Sequence, residues 1–264
     1  MENEAIYVEY NAVYGEIFAG VACLLIGVRL YRLANRTGAA PERFLSAAFL
    51  FSALAYTLYI LPYMMLDEGP HLLGFIVGSR IGFLADTVFI AVFTRKVFRP
   101  GDAWAGWLVA AVVACILVGV GGSLAQGYLE LADPLSNPWY WSESLGLVIP
   151  MAWMGAEGLW QYRKTRQRRR LDLCEPSVCH RFLLWGLAGS LWLLLELLAV
   201  FQEIDYELTG QWSTTLDLLA CALEIVPIVV LWLAFFPPAF YRSWIEGTSV
   251  MTSGPAGPRP SSPR

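Results

Sequence analysis

The chain has 264 residues, of which 57% are hydrophobic and only 15% charged, with 11 Trp and a formal net charge of −4. A mean hydropathy of +0.52 belongs to a protein whose surface meets lipid and excludes an ordinary soluble domain. The basic residues form no nucleic-acid patch: all but one of the 18 Lys and Arg fall on the same side of successive hydrophobic spans, and the exception, Arg80, lies inside one of them.

Crossing a bilayer takes about 20 mostly apolar residues. Seven stretches qualify, at roughly 11–34, 44–66, 73–98, 103–125, 142–162, 181–202 and 213–237. Arg29, Arg32, Arg36 and Arg43 lie around the first connection, and Arg95, Lys96 and Arg99 around the third. The longest basic run, from Arg163 to Arg170, follows the fifth span. The opposite connections hold Asp67 and Glu68, then Glu130, Asp133 and Glu143, then Glu203, Asp205 and Glu207, without a Lys or Arg. Cytoplasmic loops keep their Lys and Arg, so the expected topology places the N-terminus outside and the C-terminus inside.

Glu2 and Glu4 stand where a cleavable signal peptide has basic residues, so the first span is read as a retained helix,. Residues 1–241 then form one transmembrane domain, and 242–264, rich in Pro, Ser and Gly toward its end, a disordered cytoplasmic tail,. The 163–170 run is read as a topology anchor, and Pro138-Trp139-Tyr140-Trp141 as an aromatic anchor at the outer interface. Localisation in the cell (inner) membrane follows, with lipid as the first partner.

Sliding the chain on itself by 138 residues pairs Arg43-Phe44-Leu45 with Arg181-Phe182-Leu183, Asp67 with Asp205, Asp86 with Glu224, and Phe98 and Pro100 with Phe236 and Pro238. The paired spans run in the same direction. Spans 1–3 and 5–7 would then be parallel three-helix units joined by span 4, a 3+1+3 pattern found in transporters built from parallel repeats.

Ionisable residues inside the spans are costly and mark interior sites. This chain has Glu16, Arg80, Asp86, Glu157, Glu196, Asp217 and Glu224. Arg80 is the only cation among them, and Glu196 and Asp217 lie at similar depth, so those two are its expected partners. Residues four or seven apart share a helix face. Trp185, Gly189, Trp192 and Glu196 therefore form one stripe, Asp217, Cys221 and Glu224 another, Trp153, Glu157 and Trp160 a third, and Tyr56, Tyr59 and Tyr63 a fourth. If these faces converge they enclose an aromatic, acid-tipped cavity. Arg80 and Asp86 are six apart, about 120° around the helix, so either the long Arg side chain reaches round or only one of the two belongs to that cavity.

These residues also carry a resemblance. Ser52-Ala53-Leu54-Ala55-Tyr56-Thr57-Leu58-Tyr59 is similar to the Ala-x-Ala-Phe-Thr-Met-Tyr stretch of microbial opsins, the seven-helix retinal-binding family. Arg80 with Thr87 resembles that family's third helix, and Trp185 with Trp192 the pair that sandwiches retinal, with Gly189 close to where the family has Pro. Asp217 matches the counterion, but Cys221 replaces the lysine that forms the Schiff base, and Phe83 stands where a second carboxylate is expected. Only Lys96 and Lys164 exist in the chain, so covalent retinal is excluded. The resemblance implies an opsin-like bundle without its chromophore linkage, open to a non-covalent apolar ligand.

His71 and His180 fall on opposite sides of the membrane and exclude intramembrane bis-His haem and multi-His zinc sites,. Cys174, Cys179 and His180 lack a standard metal spacing, and Gly119, Gly121 and Gly122 are read as close-packing positions. No phosphate-cradling loop or nucleophile elbow occurs, so an enzyme is the class with least support and no catalytic or metal site is expected. The sequence leaves two readings. One is an opsin-like receptor or binding protein acting through Arg80, Asp86, Thr87, Trp185, Trp192, Glu196, Asp217, Cys221 and Glu224. The other is a small-solute or proton-coupled transporter in which Asp86 and Glu224 exchange protons.

Overall fold

The computed structural model describes residues 2–65, 71–127, 134–169, 171, 173–211 and 213–252. Among them every regular element is a helix: α1 Glu2–Thr37, α2 Ala40–Met65, α3 His71–Phe98, α4 Ala103–Ala125, α5 Tyr140–Arg169, α6 Pro176–Thr209, α7 Thr214–Phe235 and α8 Ala239–Thr252. Six contain segments long and apolar enough to cross a membrane, namely α1, α2, α3, α4, α6 and α7. The fifth expected span, α5, is not among these six. Glu143, Glu157 and a basic last turn of Arg166, Arg168 and Arg169 dilute its apolar run. Asp67, Glu68, Glu130 and Asp133 lie outside the described residues.

Local chemistry sets the ends. Gly38 (φ 72°) donates its N–H to the Ala34 carbonyl and turns α1 into α2 within two residues. Gly210 (φ 69°) does the same for α6 on Tyr206, the left-handed cap that glycine allows without a Cβ clash. Pro176 opens α6, where its missing N–H costs nothing,. Arg36, Arg95, Lys96 and Arg166 sit in the last turns of α1, α3 and α5, where cations meet the negative end of the helix dipole.

Polarity is inverted relative to a water-soluble protein. Phe18, Leu24 and Leu25 of α1 and Leu194, Leu197 and Phe201 of α6 are exposed, while Ser46, Asp86, Thr87, Glu143 and Glu157 are buried. An apolar exterior around buried charge fits lipid as the surrounding solvent.

Each of α1 to α7 packs on the next, α7 closes on α1, and α3 also touches α5. That last contact expels α4 from the ring: it leans on α3 and α5 from outside, with Trp107 77% and Leu117 67% exposed. Exchanging α1 with α5, α2 with α6 and α3 with α7 maps the contacts of this six-helix ring onto themselves.

Glycines bring α5 and α6 backbone to backbone. A Cβ on Gly158 would lie 2.5 Å from Gly186 N, and one on Gly189 2.5 Å from Gly155 N. Only hydrogen fits there, so dispersion contacts replace the missing hydrophobic drive. Gly119 and Gly122 of α4 likewise admit the Glu143 backbone and the Trp139 ring, whereas Gly121 faces open space and is not a packing position.

Two expected surface features take part in packing instead. Tyr140 is buried and Trp139 covers Gly122, so of the aromatic segment only Trp141 projects, its indole donating to the Pro134 carbonyl at 3.0 Å. Residues 242–252 are helical rather than disordered, because α8 seats Tyr241 and Trp244 against His180 with ring centroids 6.4 and 5.8 Å away and buries Ile245. Residues 253–264 lie outside the described residues.

Candidate functional site

A cavity of about 540 Å³ runs down the ring. α1, α2, α3, α5, α6 and α7 line it and α4 does not, as expected from the position of α4 outside the ring. On α3 the lining extends from Ile76 to Ile90 and on α2 from Leu45 to Tyr59. Fourteen residues at 1.5 Å each make it about 20 Å long, a slender slot rather than a sphere.

The slot is graded in polarity. Leu45, Phe49, Ile90, Met154, Trp185 and Leu231 close one end with apolar surface, and Arg80, Glu143 and Glu203 stand toward the other. Trp185 is fixed by stacking on Phe93 at 4.8 Å and by an edge contact with Phe235 at 5.4 Å, so its ring is a rigid floor.

Asp86 sits between these zones. Ser52 of α2 donates to one of its oxygens, and the Thr87 hydroxyl lies 3.0 Å from the other. The same two hydroxyls also reach the carbonyls of Ala48 and Phe83, at 3.2 and 2.9 Å. This anchors the carboxylate to two helices. Across the slot, Glu196 lies close enough to feel the charges of Asp86 and Glu203.

Arg80 lines the slot together with Asp86, so the long side chain does reach round. Its expected partners were Glu196 and Asp217. The ion pair goes instead to Glu143 of α5, with Nε 2.8 Å from Oε1 and a second bond from Nη2 to Oε2. The sequence groups Glu143 with the outer connection, but in the structure it begins the buried face of α5 and is fully buried. Asp217 accepts from Gln202 of α6 at 2.7 Å.

The acidic stripe of α7 does not line the slot. α7 presents Ile228 and Leu231 there, while Asp217, Cys221 and Glu224 lie off to one side. Glu224 accepts from the hydroxyl of Tyr56, itself a wall residue, and lies near Glu16 of α1. The α5 stripe also turns elsewhere. Trp153 donates to Glu157 at 3.4 Å, and Glu157 binds Arg99 Nε at 2.7 Å. Arg99 lies over the Trp160 ring at 4.4 Å, and its bond with Glu157 holds the guanidinium above its ordinary pKa. This cluster ties α3, α4 and α5 together beyond the slot. Of the α2 stripe Tyr56 and Tyr59 line the slot, while the Tyr63 side chain lies outside the described ones.

The structure therefore gathers Arg80, Asp86, Thr87, Trp185, Trp192 and Glu196 and leaves out Asp217, Cys221 and Glu224. It adds Ser52, Glu143 and Glu203. Glu143 and Glu203 sit near helix ends, so span-by-span hydropathy hides them, and a serine carries no periodic signal.

No family model, no curated protein and no solved structure matches the chain.

Proposed function

We propose that the chain is a seven-span, opsin-like membrane protein of the cell (inner) membrane that binds a small ligand non-covalently in its central slot, as a receptor or binding protein without covalent retinal. The carrying observation is the slot itself: about 540 Å³ inside an apolar-surfaced bundle, with a rigid Trp185 floor, Trp192 on its wall and the hydroxyl-anchored carboxylate of Asp86 at mid-length. Such a mixture of apolar wall and few convergent polar groups is what a small-molecule site requires. α5 counts as the seventh span, because its charged residues Glu143 and Glu157 are paired internally with Arg80 and Arg99. The outside N-terminus follows from the basic ends of α1, α3 and α5.

The test is purification in mild detergent followed by extraction and mass analysis. A small molecule that co-purifies with the wild type and is lost from Trp192→Ala supports the reading. A purified sample carrying lipid alone refutes it.

One observation favours the transporter reading as a second: the six-helix ring maps onto itself when α1–α3 and α5–α7 exchange, and the repeat partner of Asp86, Glu224, reaches the slot wall through Tyr56. Uptake into proteoliposomes that responds to pH and stops in Asp86→Asn would establish it. Uptake that is unchanged in both Asp86→Asn and Glu224→Gln would end it.

A further inference from the structure

The charge of the slot limits what can occupy it, and the argument here rests on the slot being a ligand site. Four carboxylates line it, Asp86, Glu143, Glu196 and Glu203, against a single cation, Arg80. Arg80 is engaged by Glu143 in a two-pronged pair. Asp86 is held by hydroxyls alone, which place a carboxylate without neutralising it. Among the described residues Glu196 has no hydrogen-bond or ion-pair partner, and it faces the slot within electrostatic reach of Asp86.

Two acids that line one low-dielectric slot within electrostatic reach of each other repel, and each lacks the hydration it would have in water,. A cation between them relieves both penalties. A neutral guest relieves neither, and an anion adds a third like charge. The surrounding walls suit an organic cation rather than a bare ion, since Tyr56 and Trp192 line the slot with Trp185 as its floor, and aromatic faces attract ammonium groups,. Below them the apolar end closed by Leu45, Phe49, Met154 and Leu231 accepts a hydrocarbon or flat aromatic body.

We infer that the slot takes an amphiphilic organic amine, its ammonium between Asp86 and Glu196 and its apolar body against Trp185 and Trp192.

Three probes of near-equal shape test this: tryptamine, the neutral 3-propylindole and the anionic indole-3-propionate. Each is titrated calorimetrically into the full chain in phosphatidylcholine nanodiscs, with empty nanodiscs subtracted. Tryptamine is expected to bind at least about tenfold more tightly than the neutral probe, a conservative figure for one ion pair in a partly solvated interior. That preference should collapse in Asp86→Asn and in Glu196→Gln. Glu16→Gln removes an acid outside the slot and should keep it. Should either slot variant fail to fold, the three-probe ranking on wild type still decides. Equal or tighter binding of 3-propylindole or indole-3-propionate overturns the charge inference and leaves the ligand site standing. A cation preference that survives both slot variants overturns the placement of the ammonium. Absence of binding by all three at about 1 mM overturns the inference and the ligand-site reading together.

Discussion

Removing the Glu143 carboxylate should be among the most damaging single changes in this molecule. Glu143 is fully buried, and the Arg80 side chain it holds is only 10% exposed, so Glu143→Gln leaves a guanidinium in the bundle interior with its charge unmatched. Breaking a buried pair from one side costs about 3–5 kcal/mol. The lower end applies, because Arg80 opens onto the slot and because unfolded membrane proteins find substitute partners for polar groups. About 3 kcal/mol corresponds to roughly a hundredfold fall in the folded-to-unfolded ratio. The assay is reversible unfolding from mild detergent into dodecyl sulfate, run as a double-mutant cycle with Arg80→Met and Glu143→Leu. Each single variant should be severely destabilised, and the double variant should lie within about 1 kcal/mol of wild type, because both desolvation costs vanish together. A Glu143→Gln protein within about 0.5 kcal/mol of wild type, or a double variant as damaged as the sum of the singles, would refute the reasoning.

Gly158→Leu should destabilise by about 3 kcal/mol or prevent assembly, since its first side-chain atom would lie 2.5 Å from the Gly186 backbone,. Gly121→Ala, which faces open space, should be neutral or gain up to about 1 kcal/mol of helix propensity, and the same unfolding assay compares the two. Arg99→Lys should cost about 1–2 kcal/mol despite keeping the charge, because a lysine cannot stack on Trp160 and grip Glu157 at once,. Equal stability of Arg99→Lys and wild type would remove that cluster from the list of helix ties. A protein whose only cysteine is Cys174 should react with an impermeant maleimide only after the cells are opened, and labelling of intact cells would reverse the proposed orientation.

What could be read from the sequence and what could not divide along a physical line. Six of the seven expected spans fall on helices with segments long and apolar enough to cross, and α4 matches its expected limits at both ends, because hydropathy summed over about 20 residues is a large signal. Facing is a smaller one. The four-and-seven spacing that groups Asp217, Cys221 and Glu224 says that they share a side of α7, but not that Ile228 and Leu231 point inward instead. The glycine seams settle such questions, since Gly155 and Gly189 must meet backbone to backbone and so fix the rotation of α5 against α6. Partner choice was less legible still. Depth alone made Glu196 and Asp217 look right for Arg80, yet Glu143 comes from the adjacent α5, which α3 touches because α4 is displaced.

That displacement also explains how the charges are distributed. With α4 outside, α5 can bring Glu143 to Arg80 at one end and Glu157 to Arg99, just past the end of α3, at the other, 63 and 58 positions apart in sequence but both between α3 and α5. Both pairs are used to join helices. Asp86 and Glu196 lie on α3 and α6, which meet through the Phe93–Trp185 and Phe98–Phe182 ring contacts toward the apolar end, and both acids face the slot. Acids that served packing would be expected where helices meet, as Glu143 and Glu157 are. These two acids make no ion pair among the described residues, Asp86 accepting only hydroxyl hydrogen bonds, which is why the cavity pair, rather than the ion-paired Glu143 and Glu157, bears on function. If replacing Asp86 and Glu196 together by Asn and Gln leaves stability unchanged or raised, while Glu143→Gln unfolds the protein, this division holds. If the cavity double variant loses as much stability as Glu143→Gln, the pair is structural and the division fails.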